Sequence, residues 1–243
     1  MVRDSFTIGK FQELSSKISN DEAMHYLRQG YGIRALQIKD THFQLTKIIE
    51  KSGGKNLTPY ETTKINLLLN AYYLNLIGAI DNLAWALHYE FNVIDGAREN
   101  NKKRTQIGLF SKTFQESLKL LKPDVVSQLN QYKDWFFELK EFRDPAAHRI
   151  PLYCAPGVVK EDHRDEYNKA IEHFLKQDYR KDRDGYMNAQ WALGQVGVFE
   201  AIFICYTESF EQIIYPLNRT VNDDYQPFWE VSEIVHQCLD NRI

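Results

Sequence analysis

Thr58-Pro59-Tyr60-Glu61 opens the stretch that decides the fold, and the run it opens continues to Phe91. A threonine three residues before a glutamate is the pattern of a capping box, in which each side chain satisfies the other's exposed backbone N–H at a helix start. Proline is well placed at the first helical position, because its missing N–H would have had no partner there. From that start the chain is apolar almost all round, with Leu67, Leu74, Ile77, Ile80, Leu83, Trp85 and Leu87. A helix apolar on every side has no face to offer water, so it is predicted to be the central helix of a bundle. Asp81, Asn82 and His88 interrupt its later half. Asp81 and His88 are seven apart and share a helical face. That is the spacing of two groups aimed at one cleft or, more commonly, of a hydrogen-bonded set inside the core.

On either side the chain reads as helix after helix. Ser19-Asn20-Asp21-Glu22 has the same Ser-x-x-Glu form, and Gly53-Gly54 ends the segment it opens, with Gly30 and Gly32 able to divide it in two. Residues 92–110 are rich in Asn, Gly and Lys and read as a loop, followed by a short helix over about 113–121. Pro123 starts another, whose stripe of Val125, Leu129, Tyr132, Phe136 and Leu139 steps by three and four. Residues 152–159, with Pro156-Gly157, read as an extended loop. Three more helices are predicted, over about 163–179, 187–215 and 227–239. The second carries Trp191, Val198, Ile202, Tyr206, Phe210, Ile213 and Leu217. No stretch shows convincing strand alternation. The expectation is one all-α domain over residues 1–243, an antiparallel helical bundle of four to five core helices over about 58–215, with additional N- and C-terminal helices.

A net charge of −3 over 243 residues argues against a protein that coats DNA, which needs a strongly basic face. Lys102-Lys103-Arg104 and Arg180-Lys181-Asp182-Arg183 are local exceptions, able to guide a polyanion but more often mere solvated turns. Cys154, Cys205 and Cys238 are far apart and show no metal-ligand spacing, so no disulfide framework, no metal and no cofactor are expected. His163, Glu166 and His173 do not have the spacing of a zinc site either. The first residues, Met1-Val2-Arg3-Asp4-Ser5, lack the apolar core of a signal peptide, and no apolar run reaches membrane length. A cytoplasmic protein with no membrane contact is expected.

Arg143-Asp144-Pro145-Ala146-Ala147-His148 is the stretch that reads as chemistry rather than packing. Aspartate is a good N-cap and proline a good first helical residue. With Asp144 as cap, Arg143 and His148 occupy the two positions that approach each other across a helix start. A helix N-terminus already suits phosphate. An unbroken helix would instead set residues five apart by roughly 140° around the axis and remove that pocket. The phosphodiester reading of this stretch therefore hangs on a backbone break at the proline, and an unbroken helix through that point would overturn it. The plainer reading is that Arg143 neutralises the last carbonyls of the preceding helix, with Asp144-Pro145 an ordinary turn.

In this setting the residues resemble the HEPN superfamily, whose members are helical bundles, many carrying Arg, a polar residue, a few variable residues and then His. Arg143-Asp144 followed by His148 matches that pattern, and the helix holding Asp81-Asn82 is similar to the first core helix of such bundles. The resemblance spans residues 58–215 as architecture. It implies a metal-independent endoribonuclease acting on single-stranded RNA, as a homodimer that brings two Arg–His pairs to one cleft. The setting it implies is a toxin–antitoxin pair, with a nucleotidyltransferase-like antitoxin partner, or another defence system.

The residue chemistry fits that implication. His148, ordinarily titrating near 6.5, is able to take the ribose 2′-OH proton at neutral pH. Arg143 is suited to the scissile phosphate and its transition state, leaving a 2′,3′-cyclic phosphate and a 5′-hydroxyl. Asp144 would orient the turn and hold Arg143 or His148. Arg149 and Tyr153 are candidates to contact phosphate or stack on a base, and Asp81 is a further candidate at the substrate. The alternative is a non-catalytic nucleotide- or RNA-binding module, or a dimerisation module, of the same kind.

Overall fold

The helix that Thr58 opens runs Pro59–Phe91, and its cap forms as the sequence reads. Glu61 N–H donates to Thr58 Oγ1 at 3.2 Å, while Thr58 N–H and hydroxyl donate to Glu61 Oε2 at 2.9 and 2.8 Å. Those bonds hold the Glu61 carboxyl below its ordinary pKa, the backbone N–H of Thr58 contributing most. The structure, a computed structural model, describes residues 8–197 and 199–240. Its helices are α1 (Ile8–Lys17), α2 (Asp21–His25), α3 (Ile33–Ser52), α4 (Pro59–Phe91), α5 (Asn101–Arg104), α6 (Lys112–Leu121), α7 (Pro123–Leu129), α8 (Lys133–His148), α9 (Arg164–Leu175), α10 (Arg183–Leu193) and α11 (Leu217–Asp240). Three strands, β1 (Tyr153–Val159), β2 (Phe199–Tyr206) and β3 (Gln212–Pro216), complete a mostly helical protein with one small sheet.

The chain forms two compact units. The first comprises Met1–His42, Asn70–Arg149 and Val221–Ile243, the second Phe43–Leu69 and Ile150–Thr220. In the first, Leu27, Tyr31, Tyr72, Tyr73, Leu76, Ile80, Leu83, Phe114, Leu118, Leu139, Phe228 and Val235 are all fully buried. Burial of such side chains is worth about 1.5–3 kcal/mol each, so this core dominates the unit's stability. Among the polar groups embedded in it is a carboxylate. Asp224, 7% exposed, accepts from Tyr73 Oη at 2.9 Å and Trp135 Nε1 at 3.0 Å, which satisfies both of its oxygens.

The N-terminal cap falls one residue later than the Ser19 box predicts. Asn20 Oδ1 accepts from Ala23 N–H at 2.9 Å and caps α2. Glu22 pairs with Arg98 at 3.3 Å, and Glu90 from the end of α4 takes Asn20 N–H at 3.2 Å. Between α2 and α3 the segment Tyr26–Gly32 winds as a π-helix, so the chain does not divide at its glycines but widens there. Gly30 lies against α4 so closely that a Cβ would stand 2.6 Å from Asn82 Cγ. The glycine is what permits that approach.

The chain is mostly helical, as the all-α expectation has it, and the second unit adds a small sheet. Residues 187–215 are not one helix: α10 ends at Leu193, and β2 and β3 follow. The strands form an antiparallel sheet ordered β1-β2-β3, with Cys154 opposite Phe203, and Phe203 opposite Tyr215. The register shifts between Ala155 and Val158, so Pro156-Gly157 marks a bulge within β1 rather than an extended loop. Phe203 and Cys205 are buried while their neighbours along β2 are half-buried, and the β2–β3 turn carries Phe210 at φ +63°. Cys154 N–H donates to Asn66 Oδ1 at 2.6 Å, tying β1 to the first turns of α4 within this unit. Val198, which the sequence placed on the apolar stripe, lies outside the described residues.

Candidate functional site

The helix break expected at Asp144-Pro145 does not form. α8 is continuous from Lys133 to His148 with Pro145 inside it, and Arg149 N–H closes the last turn on Pro145 O at 3.1 Å. Past the first turn a proline costs a helix one i−4 hydrogen bond and crowds the carbonyl that would have accepted it, here that of Glu141. Pro145 is buried, so packing holds its ring where local preference would have started a new helix. The N-terminal anion pocket predicted at this point is accordingly absent, and the residues sit at the C-terminal end of α8. A continuous helix sets positions 143 and 148 about 140° apart. It places position 148 one turn beyond position 144 on the same ridge. The His148 side chain lies outside the described residues.

Arg143 and Asp144 do meet. Arg143 Nη1 lies 2.9 Å from Asp144 Oδ1, and the two side chains are 32% and 36% exposed, reachable from solvent yet held. Asp81 of α4 joins them. Burial raises its carboxyl above the ordinary value, against the opposing pull of Arg143 first, then Lys140 and Arg34. Lys140 precedes Arg143 by three residues and shares its helix face. Arg34, near the start of α3, extends along α4 where Gly78 leaves room; a Cβ at position 78 would stand 2.7 Å from Arg34 Cζ. Arg34 Nη1 donates to Asn75 Oδ1 at 3.0 Å, which fixes the guanidinium above the glycine. Arg143, Lys140 and Arg34 thus all act on the Asp81 carboxyl within the first unit.

Arg143, Asp144 and Asp81 were named from the sequence and are brought together; Arg34, Lys140 and Asn75 were not named. Lys140 could have been found from its three-residue spacing to Arg143. Arg34 gave no such signal, because its approach depends on a glycine more than forty residues away. Arg149 follows α8 with an exposed side chain. Tyr153 belongs to the second unit, on β1, where its hydroxyl lies 3.5 Å from that of Tyr206 and its pKa is raised chiefly by that contact. His88 takes the core role: it is 2% exposed, and its Nδ1 accepts from Ile94 N–H at 3.3 Å. Among the described residues no cluster of three or more His, Cys, Asp or Glu is arranged around a possible metal, and no helix is long and apolar enough to cross a membrane.

Comparison with family models, with characterised proteins and with solved structures finds no match. The site must therefore be read from its own chemistry. A guanidinium held by a neighbouring carboxylate, with a second guanidinium and an ammonium close by, is suited to oxyanions, above all to the phosphates of a polyanion.

Proposed function

We propose that the helical unit is a HEPN-like bundle that binds single-stranded RNA at Arg143 and cleaves it without a metal ion. The observation that carries the reading is the Arg143–Asp144 pair set among Lys140, Arg34 and Asp81. The unbroken α8 removes the helix-start pocket in which Arg143 and His148 were expected to converge, so the proposed link between phosphate and base is Asp144 alone. It holds Arg143 and stands one turn before position 148 along α8. His148 then takes the 2′-OH proton as the 2′-oxygen bonds to phosphorus, Arg143 carries the charge growing on the phosphate, and the P–O5′ bond breaks to leave a 2′,3′-cyclic phosphate and a 5′-oxygen that takes a proton from solvent water. RNA is the substrate, a second copy of the chain completes the cleft, and the setting is a cytoplasmic toxin or defence protein. In a toxin pair a nucleotidyltransferase-like antitoxin would be the silencing partner.

The test is cleavage of single-stranded RNA in EDTA. Wild type should yield cyclic-phosphate ends, and Arg143→Ala and His148→Ala should each lower the rate by roughly 10²-fold or more while circular dichroism stays unchanged. Cleavage that survives both substitutions removes the assignment. The unbroken helix favours a second reading, binding without cleavage, because it sets positions 143 and 148 about 140° apart instead of bringing them together at a helix start. That reading expects saturable RNA binding, weakened by Arg143→Ala, with no product on long incubation.

A further inference from the structure

One turn along α4 from Asp81 the character of the helix surface changes from charge to flat rings. Trp85 and Tyr89 continue the ridge that Asp81 begins, at intervals of four residues and so about 6 Å of rise each. Tyr26, the first residue of the π-helical turn, lies against both, with ring centroids 5.3 Å from Trp85 and 5.6 Å from Tyr89 and planes within 13° and 23°. The three rings are half-buried, so each keeps some surface for solvent. Two exposed guanidiniums lie over them, Arg104 5.4 Å from the Trp85 ring and Arg98 5.2 Å from the Tyr89 ring. Arg98 is also paired with Glu22, whereas Arg104 makes no ion pair among the described residues.

Isolated cation–π pairs are ordinary, about one per 70–80 residues. Two converging on one cluster of near-parallel rings, beside three cations around Asp81, are not. The arrangement suits a particular chemistry. A basic peptide would be repelled by Arg98 and Arg104, and an aliphatic one would leave the guanidiniums without anions. A nucleobase offers a flat face to ring or guanidinium, and its phosphate answers the positive charge.

We propose that Tyr26, Trp85 and Tyr89, with Arg104 as the movable upper plane, form a base-stacking platform for an RNA strand. The assignment rests on the reading of Arg143 as the phosphate site: the strand's phosphate sits at Arg143 and the adjoining nucleotide splays its base onto Trp85. Stacking is tolerant of sequence because every base has a π-face, so the platform gives affinity and register rather than a sequence code.

The experiment compares two labelled strands of equal length on the full chain by fluorescence anisotropy. One is a mixed-sequence 2′-O-methyl RNA, which has no attacking hydroxyl, and the other is its abasic counterpart. The base-containing strand should bind roughly tenfold more tightly. Arg104→Ala and Trp85→Leu should erase that ratio, Trp85→Phe should preserve it, and Arg143→Ala should weaken both strands alike with the ratio intact. Equal affinity for the two strands in wild type overturns the platform, as does a ratio unchanged in Arg104→Ala and Trp85→Leu together. A mononucleotide that competes as well as the strand also overturns the RNA assignment, since it would make this a free-nucleotide site. Arg143→Ala without effect on either strand rejects the phosphate site instead, and leaves the ratio to judge the platform separately.

Discussion

Arg143 is not a free cation waiting for a ligand; its neighbour's carboxylate already holds it at 2.9 Å. A partly exposed pair of this kind contributes little to stability, a few tenths of a kcal/mol up to about 1. Its value lies in orientation, because a tethered fork presents its remaining N–H groups in one direction. Arg143→Ala should therefore leave the melting temperature close to wild type and lower the salt dependence of RNA binding, the slope of log K against log salt falling by about one. Arg143→Lys should keep that slope, since the charge remains, yet bind more weakly because an ammonium cannot make the forked contact. A slope identical in wild type and Arg143→Ala, measured over a range of salt concentration, would mean that no phosphate is neutralised there. At this scale residue type was legible and geometry was not. An arginine beside an aspartate announces a pair, whereas the approach of Arg34 depends on Gly78 and becomes visible only once two helices are in contact.

At the scale of elements, what could be read was what is local. The Thr58 capping box and the apolar run behind it fix α4, because cap and period lie within one segment. The strands escaped for a definite reason. Val198, Ile202, Tyr206 and Phe210 are spaced by four, and residues four apart share a face in a strand as well as in a helix. The better discriminator was density: Ile202, Phe203 and Ile204, then Ile213, Ile214 and Tyr215, are β-branched or aromatic runs that favour a sheet. The proline in α8 misled in the opposite direction, since Asp-Pro is a strong start signal that burial of Pro145 overrides. Pro145→Ala separates the two geometries. Within a continuous helix it supplies an N–H for the turn and relieves the ring, worth about 3 kcal/mol, against about 1.6 kcal/mol for the two buried methylenes it removes, so it should stabilise by about 1 kcal/mol. At the first position of a new helix it would instead destabilise by about 0.4–1 kcal/mol, through a more flexible unfolded chain. Chemical denaturation of the two proteins decides between them by the sign alone.

For the whole molecule the telling groups are two titratable side chains of the first unit that play no part in the site. Asp224 lies among Tyr73 and Trp135, and burial pushes its carboxyl up to about 6 despite those two hydrogen bonds. His236 of α11 lies edge-on to Tyr31 at 5.0 Å, its buried Nε2 has no hydrogen-bond partner among the described residues, and burial pushes its pKa down to about 4. Between about pH 4 and 6 the folded protein holds a proton on Asp224 that the unfolded chain has released, which makes folding less favourable as pH rises. Over nearly the same window the unfolded chain holds a proton on His236 that the folded protein refuses, which makes folding more favourable as pH rises. Each effect is on the order of 3 kcal/mol, roughly two pKa units at 1.36 kcal/mol per unit. Being opposite in sign, the two contributions nearly cancel from about pH 4.5 to 6, which leaves the wild-type slope there to the other titrating groups. Asp224→Asn keeps a polar amide for Tyr73 and Trp135 but removes the proton, so its stability should climb with pH relative to wild type across that window. His236→Phe fills the same volume without a titratable nitrogen, and its stability should fall relative to wild type as pH rises. Urea unfolding at several pH values reads both slopes. Variants whose profiles run parallel to wild type would show that neither group carries the charge state assigned to it.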